Sequence, residues 1–174
     1  MFKKFITVLS VFFLVSACSG MAVEEFKNAK PELVLEEYFT GRTEAWGLFE
    51  DRFGKLRRQF KVTIDGTWDG ETLTLDERFK YEDGETDQRI WRIKKIGRGN
   101  YEGRAADVIG IATGVAAGNA LNWRYEMDLK VGDGSLRVAF NDWMFLQTDG
   151  VLINRARVSK LGVEIGSVTL FFKK

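Results

Sequence analysis

From Leu121 to Lys130 the chain alternates strictly. Leu121, Trp123, Tyr125, Met127 and Leu129 are apolar, and Asn122, Arg124, Glu126, Asp128 and Lys130 lie between them. A period of two sorts these sets onto opposite faces of a β-strand, which a helix cannot do. Leu136, Val138 and Phe140 continue the pattern, and Phe60, Val62 and Ile64, then Leu73 and Leu75, repeat it elsewhere. Between such runs stand turn signals: Asp65-Gly66, Asp69-Gly70, Asp83-Gly84, Gly97 to Asn100, Gly132-Asp133-Gly134 and Asp149-Gly150. Asp-Gly and Asn-Gly pairs supply the positive φ angles that tight hairpins demand. The pattern predicts an all-β chain of about eight to ten antiparallel strands, each with one apolar and one solvated face. An open sheet of that size would expose two edges, so closure into an up-and-down barrel is expected, with a two-sheet sandwich as the alternative. The charged outward face argues against an outer-membrane barrel.

The N-terminus has a different chemistry. Lys3 and Lys4 precede an uncharged apolar run, Phe5 to Val15, closed by the small residues Ser16 and Ala17 before Cys18. That is the layout of a secretory signal, and its run falls short of the about 20 residues that cross a bilayer. Val15-Ser16-Ala17-Cys18 resembles the lipobox of bacterial lipoproteins, which implies cleavage before Cys18 and lipid attachment to its thiol. Cys18 is the only cysteine, so no intramolecular disulfide competes for it. Ser19 in place of an Asp implies, by the same resemblance, the periplasmic face of the outer membrane. The expected division is residues 1–17 as signal peptide, 18–31 as lipidated tether and 32–174 as the barrel domain.

Removing residues 1–17 takes away two lysines and no acid, which leaves 24 basic side chains against 25 acidic ones. Such balance offers nothing to nucleic acid. The chain contains no histidine, so His-based triads, bases and metal sites are excluded. With Cys18 acylated, thiolate chemistry and thiolate metal sites go too. No residue set points to a cofactor or a metal.

Two resemblances bear on the fold. Gly66-Thr67-Trp68 matches the Gly-x-Trp signature of lipocalins, although here it follows a strand instead of opening the first one. Over nearly the whole mature chain the sequence is similar to an uncharacterised family of Gram-negative lipoproteins, a domain of unknown function. The matching segments are Glu37 to Gly41, Leu73 to Phe79, Gly118 to Tyr125, Asn141 to Met144, and Asn154 to Gly162. This resemblance implies a lipocalin-like barrel and an envelope location, and no established activity.

Parity marks charges that fall on the apolar face. Glu77 follows Leu73 and Leu75 at even spacing, and Asp142 follows Val138 and Phe140. If the turn at Gln147 to Gly150 pairs Leu146 with Val151, then Asp142 faces Arg155, and Arg157 falls opposite Phe140. The turn at Asp83-Gly84 brings Arg89 and Trp91 near Glu77. Buried charges must meet a counter-ion or a ligand. The candidate ligand site is therefore Arg155, Arg157, Asp142, Glu77, Arg89 and Trp91, in which an arginine holds a fatty-acid carboxylate or lipid phosphate. The alternatives are an internal salt-bridge network that sets strand register, and bulges that shift the parity and put these groups in water. The tryptophans Trp46, Trp68, Trp91, Trp123 and Trp143 read as core packing or as a ligand cage. The apolar, glycine-rich stretch Gly110 to Gly118 reads as a lid at the barrel mouth or as a bulged connection.

The function these features favour is a non-enzymatic, membrane-anchored envelope lipoprotein that binds a lipid or another apolar or acidic small ligand. The alternatives are an envelope enzyme acting on lipid through Glu77 or Asp142 as acid or base, and an envelope protein-interaction module.

Overall fold

Sheet edges are removed here by closure. The computed structural model describes residues 20–131 and 134–174. A 3-10 turn (Val23–Phe26) and a short helix α1 (Leu35–Phe39) precede ten strands. These are β1 Gly41–Asp51, β2 Leu56–Trp68, β3 Thr72–Tyr81, β4 Thr86–Gly97, β5 Asn100–Arg104, β6 Val108–Ala117, β7 Ala120–Val131, β8 Gly134–Leu146, β9 Leu152–Lys160 and β10 Val163–Lys173. Each strand pairs antiparallel with the next, and β10 returns to β1. The expected antiparallel barrel is the observed one, and the sandwich alternative falls away.

The apolar parity rows point inward. Along β7, Leu121, Trp123 and Met127 are buried, and on β8 so are Val138 and Leu146. The helix α1 closes one end, with Leu35 and Phe39 buried and Phe39 set edge-on to Phe172 at 5.6 Å. Glu36 holds that plug in place: it pairs with Lys95 of β4 and accepts a hydrogen bond from the Tyr101 hydroxyl at 3.0 Å. The other end carries the hairpin tips between β1 and β2, β3 and β4, and β9 and β10. In the stretch 18–31, Val23 is buried, and Phe26 lies against Trp143 and Phe145 at 6.1 and 5.3 Å. Residues 1–17, Cys18 and the Gly132-Asp133 turn lie outside the described residues.

The glycine-rich run is strand β6, broken by a bulge. Ile109 faces Glu126 and Thr113 faces Arg124, so Gly110, Ile111 and Ala112 share the place opposite Tyr125. Its small residues make room for Trp123. A Cβ on Gly114 would lie 2.2 Å from Trp123 Cε3, and one on Gly103 of β5 would lie 2.6 Å from Cζ2. The indole occupies the space where side chains would stand, so Gly103 and Gly114 cannot be larger residues without moving it.

One hairpin departs from expectation and changes the face of a whole strand. Between β8 and β9 the Gln147 N–H donates to the Val151 carbonyl at 2.8 Å and Gly150 N–H to the Gln147 carbonyl at 3.1 Å. Gly150 has φ +83°, which makes Thr148-Asp149-Gly150 a three-residue loop that ends in a left-handed residue. Leu146 therefore pairs with Leu152, Met144 with Asn154 and Asp142 with Ala156. This is one residue away from the register expected from sequence, and a one-residue slip turns every side chain to the other face. Arg155 and Arg157 consequently stand outside the barrel, both exposed, and Arg157 lies 3.8 Å from Glu164. The expected inward pair Asp142–Arg155 does not form.

Candidate functional site: an internal cavity

The inward rows do not fill the barrel. A cavity of about 480 Å³ runs from the floor made by Leu35 and Phe39 to a mouth at Arg57, Arg58 and Lys130. That is within the range of small-ligand pockets, about 300–1,000 Å³. Its walls are aliphatic and aromatic, including Val62, Ile64, Leu121, Val158 and Leu170. Trp91 stands edge-on to both Trp123 and Tyr125, at 5.7 and 5.4 Å, and Tyr125 stacks on Phe140 at 4.9 Å. Of the five tryptophans, Trp91 and Trp123 line the cavity. Trp46 is on the outer surface, 46% exposed, and Trp143 packs under Phe26.

A polar belt crosses these walls. Glu77 of β3 pairs in register with Arg89 of β4, as the Asp83-Gly84 turn requires, and both line the cavity. Arg89 is engaged by Asp107 from the loop after β5, through Nε at 2.9 Å and Nη2 at 2.8 Å. Burial drives the Glu77 carboxyl up to about 7, Arg89 pulls it down, and Asp107 adds to the rise. Across the barrel, Asp142 is 5% exposed and Asn154 2%. Asn154 Nδ2 donates to Asp142 Oδ2 at 3.5 Å, a long bond, and Oδ1 of each residue has no partner. Burial likewise drives the Asp142 carboxyl up to about 7, against the pull of Asn154 and Arg89. Tyr125 is pushed well above the usual phenol range, first by burial and then by Asp142.

At the mouth, the Arg58 guanidinium lies 3.4 Å from the centre of the Tyr81 ring and pairs with Asp83 and Glu85. Arg57 pairs with Asp51 at 2.6 Å. Lys130 lines the same opening, and among the described residues it forms no salt bridge.

Four of the residues singled out by parity therefore meet around one cavity: Glu77, Arg89, Trp91 and Asp142. Arg155 and Arg157 do not. Sequence reasoning missed Asn154, which an earlier reading of Asp149-Gly150 as a three-residue loop would have turned inward. It also missed Asp107, which sits on a loop where no periodicity applies, and the basic mouth. Arg57 and Arg58 are adjacent, and alternation gives no reason to send both to the opening.

A closed antiparallel barrel around a polar-belted apolar cavity is a lipocalin-like architecture. The chain belongs to the family described as Protein of unknown function (DUF3833), whose model matches residues 12–174. Its structure is similar to that of an S-type phycobiliprotein lyase, CPES, from Guillardia theta, with a TM-score of 0.55 and 12% sequence identity. The match covers 87% of this chain and 91% of that one. At that identity the likeness is one of fold. Among the curated proteins there is no match.

Proposed function

We propose that this protein is a lipid-anchored envelope protein that holds a lipid or similarly apolar small molecule in its barrel and exchanges it with a membrane. The observation that carries this reading is the cavity of about 480 Å³, walled by apolar and aromatic side chains and crossed by a few convergent polar groups. A barrel built only for stability would fill its interior, as small barrels do when they hold no ligand. The fold shared with a phycobiliprotein lyase supports small-molecule binding in this architecture and does not specify the molecule.

The mouth supports exchange with a membrane. Phe53 and Leu161, at neighbouring hairpin tips on the open end, are 79% and 95% exposed. The Arg52 N–H donates to the Ile165 carbonyl at 3.0 Å, which ties the first tip to β10. Arg52, Lys55, Arg57 and Lys160 stand around these apolar tips. Exposed apolar side chains beside the basic Arg52, Lys55 and Lys160 suit the boundary of an anionic bilayer. The chain from Phe26 to Leu33 passes the opposite, closed end, where the Leu33 N–H donates to the Gly118 carbonyl at 2.7 Å. An anchor at Cys18 would thus leave the mouth accessible.

The test is native mass spectrometry of the Cys18→Ser protein, purified without detergent, with solvent extraction of whatever is bound. A discrete co-purifying lipid, lost when Ala156→Trp fills the cavity of a protein that still folds, is the expected result. A clean unliganded mass, together with no binding from a panel of envelope lipids, would remove the carrier reading. Mass analysis of the wild-type protein from membranes tests the anchor: acyl chains on an N-terminal Cys18 are expected.

A further inference from the structure

An arginine-bound carboxylate is the obvious guess for the polar end of a lipid in this cavity, and the side-chain inventory contradicts it. Arg89, the guanidinium of the belt, is already held at two of its nitrogens by Asp107. Arg155 and Arg157 point away from the cavity. The belt contains three carboxyl groups, on Glu77, Asp107 and Asp142, against that single guanidinium. Above about pH 7, where Glu77 and Asp142 ionise, an incoming carboxylate would meet acceptors and like charge.

The open valences have the opposite character. Asn154 directs its Nδ2 at Asp142 Oδ2, which leaves Asn154 Oδ1, an acceptor, and Asp142 Oδ1 without partners in a wall where both residues are more than nine-tenths buried. The Glu77 carboxyl, which also lines the cavity, makes no hydrogen bond among the described residues. Buried polar atoms are nearly always satisfied, so acceptors left open inside a cavity indicate what should fill it. Around them stand Leu121, Met144 and Ala156, which offer only apolar contact to the rest of the molecule. We propose that the inner end of the ligand is a hydrogen-bond donor, an O–H or N–H group received by Asp142 and Asn154, and that an acidic group, where the ligand has one, stays in water at the mouth. The proposal rests on the cavity-binding reading above and adds to it the chemistry of the buried end.

The experiment uses the Cys18→Ser protein and three probes of equal chain length: 1-decanol, decylamine and sodium decanoate. Binding is read at about pH 8.5, above the values of about 7 to which burial raises Glu77 and Asp142, by the fluorescence of the cavity tryptophans and by calorimetry. The expected result is that the alcohol, the amine or both bind about tenfold or more tightly than decanoate, the effect of one well-made buried hydrogen bond. Asn154→Leu and Asp142→Leu should each weaken alcohol and amine binding by about tenfold and should not weaken decanoate binding. A preference for the amine over the alcohol would point to an ammonium on the carboxylates, and equal binding to a neutral donor. Decanoate binding as tightly as the other two, or a preference that survives both substitutions, overturns the proposal and leaves the cavity reading standing. Failure of all three probes to bind overturns both.

Discussion

Asp142 lets the consequences of burial be tested in the ligand-free protein. Its carboxyl titrates at 3.8 in the unfolded chain and is driven up to about 7 in the fold, chiefly by burial. Below pH 3.8 both states carry the proton and the group leaves stability unchanged. Between 3.8 and about 7 the folded state keeps a proton that the unfolded state has released, so stability falls as pH rises, by about 1.4 kcal/mol per pH unit. Above about 7 the whole penalty stands, on the order of 4 kcal/mol. Asp142→Asn removes the ionisation, keeps the shape, and brings a second amide that can donate to the orphaned Asn154 Oδ1. The variant is therefore expected to match the parent near pH 4 and to exceed it by up to about 4 kcal/mol above pH 7. For a chain of this size that is a rise in Tm on the order of 10 °C. Urea denaturation of parent and variant at intervals from about pH 4 to 8 measures the difference directly. Glu77, also raised to about 7, adds its own slope to both curves, and because its charge helps to raise Asp142 the difference between the curves includes their coupling. If the two stability curves run parallel across the range, Asp142 ionises as it would in water, and the belt is not the dry, acceptor-rich site inferred from its burial.

Other expectations follow from single contacts. Arg155→Ala and Arg157→Ala should leave ligand affinity within about twofold of the parent in a binding titration, because both side chains stand outside the barrel. Gly114→Val should lower stability by about 1–3 kcal/mol in urea denaturation, since its Cβ would sit 2.2 Å from Trp123, and near-ultraviolet circular dichroism should register the displaced indole. The double substitution Phe53→Ser with Leu161→Ser should weaken sedimentation of the Cys18→Ser protein with anionic vesicles and leave Tm unchanged, as both residues are almost fully solvated. Glu36→Ala, which strips Lys95 and Tyr101 of their shared acceptor, should cost about 1–3 kcal/mol and speed amide exchange across α1.

How much of this could be read from the chain differs by element. Strands β7 and β8 were legible almost residue by residue, since their inward rows repeat Leu, Trp, Tyr, Met and Phe at a spacing that nothing but a strand accommodates. The approach of Arg89 and Trp91 to Glu77 was legible as well, because these residues lie within a few positions of the Asp83-Gly84 turn, and the structure sets Glu77 opposite Arg89. Across the Thr148-Asp149-Gly150 loop the same reasoning failed by a single residue. The length of a loop sets the parity of everything beyond it, and Arg155 and Arg157 went to the wrong face together. The glycine-rich segment was recognised as a break in the pattern, yet its purpose, a bed for Trp123, depends on a ring contributed by the neighbouring strand.

Local sequence determined what depends on neighbours in the chain: the strand periods, the hairpin sites, the absence of histidine and disulfide chemistry, and the signal-like start before Cys18. Tertiary structure decided what depends on distance through space. Closure of β10 onto β1 turned ten amphipathic strands into one enclosed volume, and the number of strands left that volume unfilled. Only closure brings Glu77, Asp142 and Asn154, scattered over three strands, to the walls of one space. Taken out of water there, two ordinary carboxyls, Glu77 and Asp142, become groups that hold their protons to about pH 7.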